Sequence, residues 1–319
     1  MKPDDTERRN AVVKVCELYY VRGLNHQSIA EELGFSRWKV SRLLEVGRTE
    51  GFVQVRVYDP YSRDADLEAE LLHRYSLEEA VVVRDRGPLS QTIREVCSHA
   101  AQLMAQIRPT PEVVGVSWGN TMAHVAAQLP DGWADSPTVV QLNGGVATLG
   151  RIPPAAQTIV NVAKRAHGEA LVLPCPAIVG SAELASALSR DPSVASVLAQ
   201  GRKASVALYS LGALRADSVL VESGCLTRTD VTWLRGKGGV GDVLGHFING
   251  VGDIVDEGWE ARTIGLSTEE LKKVDTSIAV AVGLQKSAIT RAALIGGYSN
   301  ILITSQSTAR EVLREKDPS

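Results

Sequence analysis

The chain has 319 residues, 34 Lys+Arg against 37 Asp+Glu and a net charge of −3, with 44% hydrophobic and 22% charged residues. This is an ordinary globular composition, and it excludes a mainly disordered chain, a collagen-like repeat and a disulfide scaffold. Residues 1–58 carry +2 and the remainder −5, so the protein does not coat nucleic acid with its whole surface, though a small basic module on an acidic body is compatible.

In chain order, residues 9–22 carry Val12, Val15, Cys16, Leu18 and Tyr19 at helical spacing, and Gly23 ends that helix. Asn25 is placed to cap a second helix whose apolar face is Ile29, Ala30 and Leu33, broken by Gly34. Ser36 caps a third helix over 37–50 with Val40, Leu43 and Leu44 inward, and residues 52–57 alternate as a strand. Small Ala30 and the Gly34 turn let two helices cross closely, so 27–44 resembles a helix-turn-helix. Gln27, Ser36, Arg37, Trp38, Lys39, Ser41 and Arg42 are the DNA-contact candidates, and Arg56 on the following strand forms a small wing. The competing reading is a helical hairpin with solvated charges. Five Lys/Arg against two Asp/Glu within 36–56 favour DNA. Trp38 suits packing into a dimer or the wing equally well.

Residues 59–110 read as a helical connector and the start of the next domain: a helix over 61–75, a strand over 80–83 and a helix over 90–107, closed by Pro109 and Pro111. From 111 to 319 short apolar runs alternate with helical stretches. Strands are expected at 113–117, 138–142, 170–173, 205–211, 278–282 and 301–304, which predicts an α/β domain with a mostly parallel sheet covered on both faces.

Three loops carry candidate chemistry. Gly115-Val-Ser-Trp-Gly-Asn-Thr121 follows a strand and opens a helix, so its amides, with the Asn120 amide and Thr121 hydroxyl, suit an anion. A plain strand-to-helix turn is the alternative. Leu142-Asn-Gly-Gly145 ends the next strand, and both loops can face one pocket. Gly236–Gly241 matches GxGxxG, but a helix rather than a strand precedes it, so a flexible loop fits better than a dinucleotide site. Asp242 after it can hold sugar hydroxyls or cap a helix. Lys286 at a strand end suits a phosphate, or is a surface lysine.

Cys16, Cys97, Cys175 and Cys225 lie far apart and read as reduced thiols of a cytoplasmic protein. The polar N-terminus and the lack of an 18-residue apolar run predict neither signal peptide nor membrane partner. The six histidines show no metal-ligand spacing, so no metal or other cofactor is expected.

Together the motifs resemble the SorC/DeoR family of bacterial sugar-responsive transcription regulators over nearly the whole chain. The blocks are Leu18–Leu24, the helix-turn-helix through Leu44, Val116–Thr121, Leu142–Gly145, Lys237–Gly245 and Val280–Lys286 to Ile301–Thr304. They lie nearest the branch that senses a phosphorylated autoinducer. The resemblance implies a winged helix-turn-helix domain (1–58), a connector that also serves oligomerisation (59–110), and a Rossmann-like effector domain (111–319) similar to sugar-phosphate isomerases and deaminases. It implies a non-enzymatic regulator, homotetrameric or a dimer of dimers, on double-stranded operator DNA. A carbohydrate or carbohydrate phosphate is the implied effector. Gly119, Asn120 and Thr121 would then hold the anion, Asp242 and Leu244 the sugar side, and Lys286 would complete the anion site, with Asn143, Gly144 and Gly145 in the neighbouring loop. The alternative is a sugar-phosphate isomerase or deaminase with an appended helical domain, for which Asp242 is the one base candidate.

Overall fold

A computed structural model describes residues 3–53, 62–146 and 154–314. The chain forms two compact units, Met1–Pro60 and Tyr61–Ser319.

The first unit is helical. Helix α1 (Pro3–Cys16) runs into a π-helical turn (Glu17–Val21), followed by α2 (His26–Leu33) and α3 (Arg37–Thr49). The expected caps are present: Asn25 Oδ1 accepts from Ser28 N–H at 2.9 Å and Ser36 Oγ from Lys39 N–H at 3.2 Å. Gly34 takes the left-handed conformation (φ 66°) that lets α2 stop and α3 start within three residues. Val12, Val15, Cys16 and Leu18 meet Ile29, Ala30, Val40, Leu43 and Leu44 in one core. Tyr19 departs from expectation. The π turn adds a residue to the helical period, so Leu18 stays buried while Tyr19 turns outward against Tyr20 and His26. Of the strand expected at 52–57, residues 54–57 lie outside the described residues. Phe52 and Val53 are not strand, and Val53 N–H donates to Gly47 O.

Gly47 is where α3 crosses α1, and a Cβ there would collide with Cys16 Sγ. A glycine-to-alanine exchange in an open helix stabilises by about 1 kcal/mol. Here Gly47→Ala is expected to cost about 1–3 kcal/mol through overpacking, read as a lowered midpoint of urea unfolding. Adding Cys16→Ala should restore the midpoint. A stabilised single variant would show that the helices can part without cost.

The second unit is an α/β sheet protein. Its elements in order are α4 (Ala65–Tyr75), β1 (Glu79–Val83), α5 (Leu89–Gln106), β2 (Val113–Val116), α6 (Asn120–Gln128), β3 (Thr138–Gln141), α7 (Pro154–Arg165), β4 (Glu169–Leu171), α8 (Ala182–Arg190), α9 (Pro192–Gly201) and β5 (Val206–Ala213). There follow α10 (Val219–Glu222), α11 (Arg228–Gly236), β6 (Gly239–Val243), β7 (His246–Asn249), α12 (Glu257–Glu260), α13 (Thr268–Leu271), β8 (Thr276–Ala281), a 3-10 turn (Leu284–Lys286), α14 (Ser287–Ile295), β9 (Ile301–Ser305) and α15 (Gln306–Arg314). The sequence predicts a helical connector and the start of the effector domain over 59–110. The described part of that stretch supplies α4, β1 and α5 to this sheet unit.

Strands β1-β9-β8-β5-β2-β3-β4 pair in parallel in that order. Alternate residues serve two cores. Val81, Val83, Val206, Leu208, Ile278 and Val280 face α5, α6 and α7, whereas Ala80, Val82, Ala207, Tyr209, Ala279 and Ala281 face the side of α4, α14 and α15. Both faces are dry, which is why these strands read as continuous apolar runs. The outer edge of β1 is closed locally: Val82 N–H donates to Glu68 Oε1 at 2.9 Å, and Arg63 grips the same carboxylate at 2.7 and 3.0 Å.

The flexible loop expected around 236–241 is corrected. Gly239–Val243 is a strand, antiparallel to the overrunning end of β5 (Leu211↔Val243, Gly212↔Asp242, Ala213↔Gly241) and hairpinned to β7. Glycine hides the strand because it removes the alternating side chains, and close packing demands it: a Cβ on Gly241 would collide with Gly212 O.

Candidate functional site

The chain winds from β2 out to β4 on one side of the sheet, then returns to place β5, β8 and β9 on the other. The direction of winding therefore reverses between β2 and β5, and beyond their C-terminal ends the diverging loops leave a crevice. A cavity of about 520 Å³ occupies that place.

The floor on the β2 side is Ser117-Trp118-Gly119. Gly119 holds φ 131°, open to glycine and strained for other residues, and it caps α6 with no side chain. The first amides of α6 have no acceptor within the helix, so the N-terminus at Asn120 and Thr121 meets the cavity uncapped. Trp118 Nε1–H donates to Gly144 O at 2.7 Å and ties this loop to the one after β3. Asn143, buried at 5% exposure, lines the cavity. Gly144 and Gly145 are not among the lining residues. A Cβ on Gly144 would collide with Pro176 O, and Gly145 N–H donates to Cys175 O, so these two glycines pack the loop from behind.

The opposite wall comes from the β6–β7 hairpin and the turn after β8. Asp242 and Leu244 both line the cavity. The two-residue hairpin turn puts Leu244 and Gly245 at φ 56° and 93°, a mirror-image turn that costs a leucine about 1–2 kcal/mol. Asp242 Oδ2 accepts from Gly245 N–H at 3.0 Å, and its carboxylate occupies the space that a Cβ on Gly212 would need. Below, buried His246 places Nδ1 at 2.8 Å from Glu260 and Nε2 at 3.0 Å from Leu266 O, pinning the hairpin to α12 and the loop before α13.

Lys286 lines the cavity from the turn after β8. Burial pushes its ammonium below the ordinary lysine range, against the opposing pull of Asp242. Burial pushes Asp242 above the ordinary carboxylate range, offset in part by the Gly245 N–H, His246 and Lys286. The cavity wall thus carries two groups whose charged forms burial disfavours and whose neighbours compensate only in part. Cys97, beneath the site with its thiol toward Thr121 O, is raised to about 12 by burial and is no nucleophile. Among the described residues no group of three His, Cys, Asp or Glu is placed to hold a metal ion.

Of the nine candidates for this region, Gly119, Asn120, Thr121, Asn143, Asp242, Leu244 and Lys286 line one cavity. Sequence reasoning missed Ser210, Gln285 and the mouth residues Arg215 and Asp217, which pair with each other through two contacts of 2.8 Å. The end of β5 beside the winding reversal was the available signal for Ser210. Arg215 and Asp217 carry no local pattern.

In the first unit Gln27, Ser36, Arg37, Trp38, Lys39, Ser41 and Arg42 are all exposed. Gln27 bonds Glu31 at 2.6 Å, Ser41 meets His26 Nδ1 at 3.2 Å, and the Lys39 ammonium stands 3.8 Å over the Phe35 ring. No helix of the described residues is long and apolar enough to cross a membrane.

A family model described as a sugar-binding domain matches residues 59–314. A deoxyribonucleoside regulator of Bacillus subtilis is 31% identical, covering 98% of this chain and 99% of its own. The transcriptional regulator LsrR of Klebsiella pneumoniae is 33% identical over 95% and 92%. Among solved structures, the full-length sorbitol operon regulator SorC of Klebsiella pneumoniae superposes with a TM-score of 0.77 at 25% identity, over 95% of this chain and 97% of that one. A DeoR family transcriptional regulator from Listeria monocytogenes gives 0.69 at 27% identity, over 78% and 98%.

Proposed function

The chain belongs to the SorC/DeoR family of sugar-responsive transcriptional regulators, and from that premise we propose that its first unit reads operator DNA while the cavity beyond β2 and β5 takes the carbohydrate effector. It is a regulator rather than an isomerase or deaminase, and the sheet unit is read as a non-catalytic counterpart of that enzyme fold. The helices α2 and α3 with their Gly34 turn act as a helix-turn-helix: α3 enters the major groove and α2 crosses the backbone. A homotetramer or dimer of dimers would set two such units on one two-fold operator. The DNA partner places the protein in the cytoplasm.

The observation that carries the effector reading is one cavity holding three complementary groups: the uncapped α6 N-terminus, Lys286 and Asp242. The first two suit an anionic group such as phosphate. The Asp242 carboxylate accepts hydroxyl hydrogens, so the ligand class is a small polyol or sugar that carries a phosphate.

The test is fluorescence anisotropy with duplexes from upstream of the chain's own gene, titrated with and without sugars, polyols and their phosphates. Expected is specific binding that weakens about tenfold or more from 50 to 200 mM salt, as several phosphate contacts require. At least one phosphorylated sugar is expected to shift the affinity. Binding indifferent to every member of the panel would sink the effector assignment.

A further inference from the structure

Among the exposed residues of α3, Trp38 differs in kind from its cationic and hydroxyl neighbours. It is 70% exposed, although an indole gains much by leaving water. It is the second residue of the helix, just inside the Ser36 cap. Val40, Leu43, Leu44 and Gly47 make the buried face, so Trp38 and Arg42, one turn apart, lie together on the open side. The Arg42 guanidinium stands 5.4 Å from the centre of the Trp38 ring. An apolar surface and a planar cation are therefore held side by side at the end of the helix that enters the groove first.

The major groove offers one apolar group to such a surface, the 5-methyl of thymine, and guanine offers the paired acceptors that a guanidinium matches. The geometry points to Trp38 as the residue that reads a thymine methyl in the operator, with Arg42, beside its ring, placed for a neighbouring guanine. This rests on the reading of the first unit as DNA-binding.

The experiment starts with the full-length chain and a random duplex pool, from which bound sequences are enriched. Each enriched thymine is then replaced in turn by deoxyuridine, which keeps every hydrogen-bonding group and removes only the methyl. One position is expected to lose about fourfold in affinity with the wild-type chain, the factor that burying one methyl-sized group is worth. Trp38→Ala should weaken the thymine duplex by at least that factor and no longer distinguish thymine from uracil there. Its circular dichroism should be unchanged, because the side chain is exposed. The assignment is overturned if no thymine responds, or if both chains respond equally. It is also overturned if Trp38→Ala changes the oligomeric mass by light scattering, which would place the indole between copies. A pool that yields no enriched sequence sinks the DNA reading itself, and Trp38 with it.

Discussion

Lys286→Met is expected to lower the affinity for a phosphorylated carbohydrate by roughly ten- to a hundredfold, the value of a hydrogen bond to a charged group, while its unphosphorylated parent changes little. Isothermal titration of the pair checks this, and equal losses for both would remove the phosphate from Lys286. The wild-type affinity also carries a pH signature. The free ammonium sits below the ordinary lysine range, so affinity for the anion falls at a pH where an exposed lysine would still be charged.

The same groups make the stability of the protein depend on pH. Lys286 has a lowered folded value, so between it and the ordinary lysine range the unfolded chain binds more protons, and stability rises with pH across that window. Asp242 has a raised folded value. Between the ordinary carboxylate range and that value the folded chain binds more protons, and stability falls as pH rises. Burial disfavours the charged form of each group. Removing one strands the other, so each single variant destabilises. The double variant Lys286→Met/Asp242→Asn is expected to melt at or above the wild type while binding no effector. A double variant less stable than both singles would show the pair to be a net stabiliser.

Gly212→Ala carries the other large expected effect. Its methyl needs the space of the Asp242 carboxylate, and both residues are fixed by the antiparallel register of β5 with β6. The carboxylate must turn away or the hairpin must lift, and either removes a hydroxyl acceptor from the cavity. Affinity for the effector is expected to drop by about a hundredfold, with overpacking costing about 1–3 kcal/mol of stability. Gly212→Ala with Asp242→Gly empties the contested space, so it should be no less stable than Asp242→Gly alone and should not regain the affinity. If the single variant binds normally, Asp242 does not hold the ligand.

What was legible in the sequence follows from where the physics is local. The caps Asn25 and Ser36 and the Gly34 turn act within four residues, and α2 and α3 fall where they predict. The parallel strands have two dry faces and announce themselves as apolar runs. Tyr19 leaves the apolar face because a π turn shifts the helical period without a compositional mark. Strand β6 is hidden because Gly241 serves contacts with Gly212 and Ile289, residues distant in sequence. The cavity shows the same division. Gly119 to Thr121 announce themselves as a loop opening a helix. Arg215 and Asp217 reach the mouth only because β5 overruns the sheet, and His246 supports the wall through Glu260 and Leu266 from below.

The position of β1 has a consequence for the chain as it is made. Glu79 pairs with Ile301, so one long edge of β1 waits until more than 200 further residues have been made. At about 5–20 residues per second that delay is on the order of ten to forty seconds. Its other edge closes at once, because Arg63 and Glu68 are already outside the ribosome. The nascent strand is thus guarded on one side from birth, and a message cut short before β9 leaves the second side permanently open to any strand that meets it.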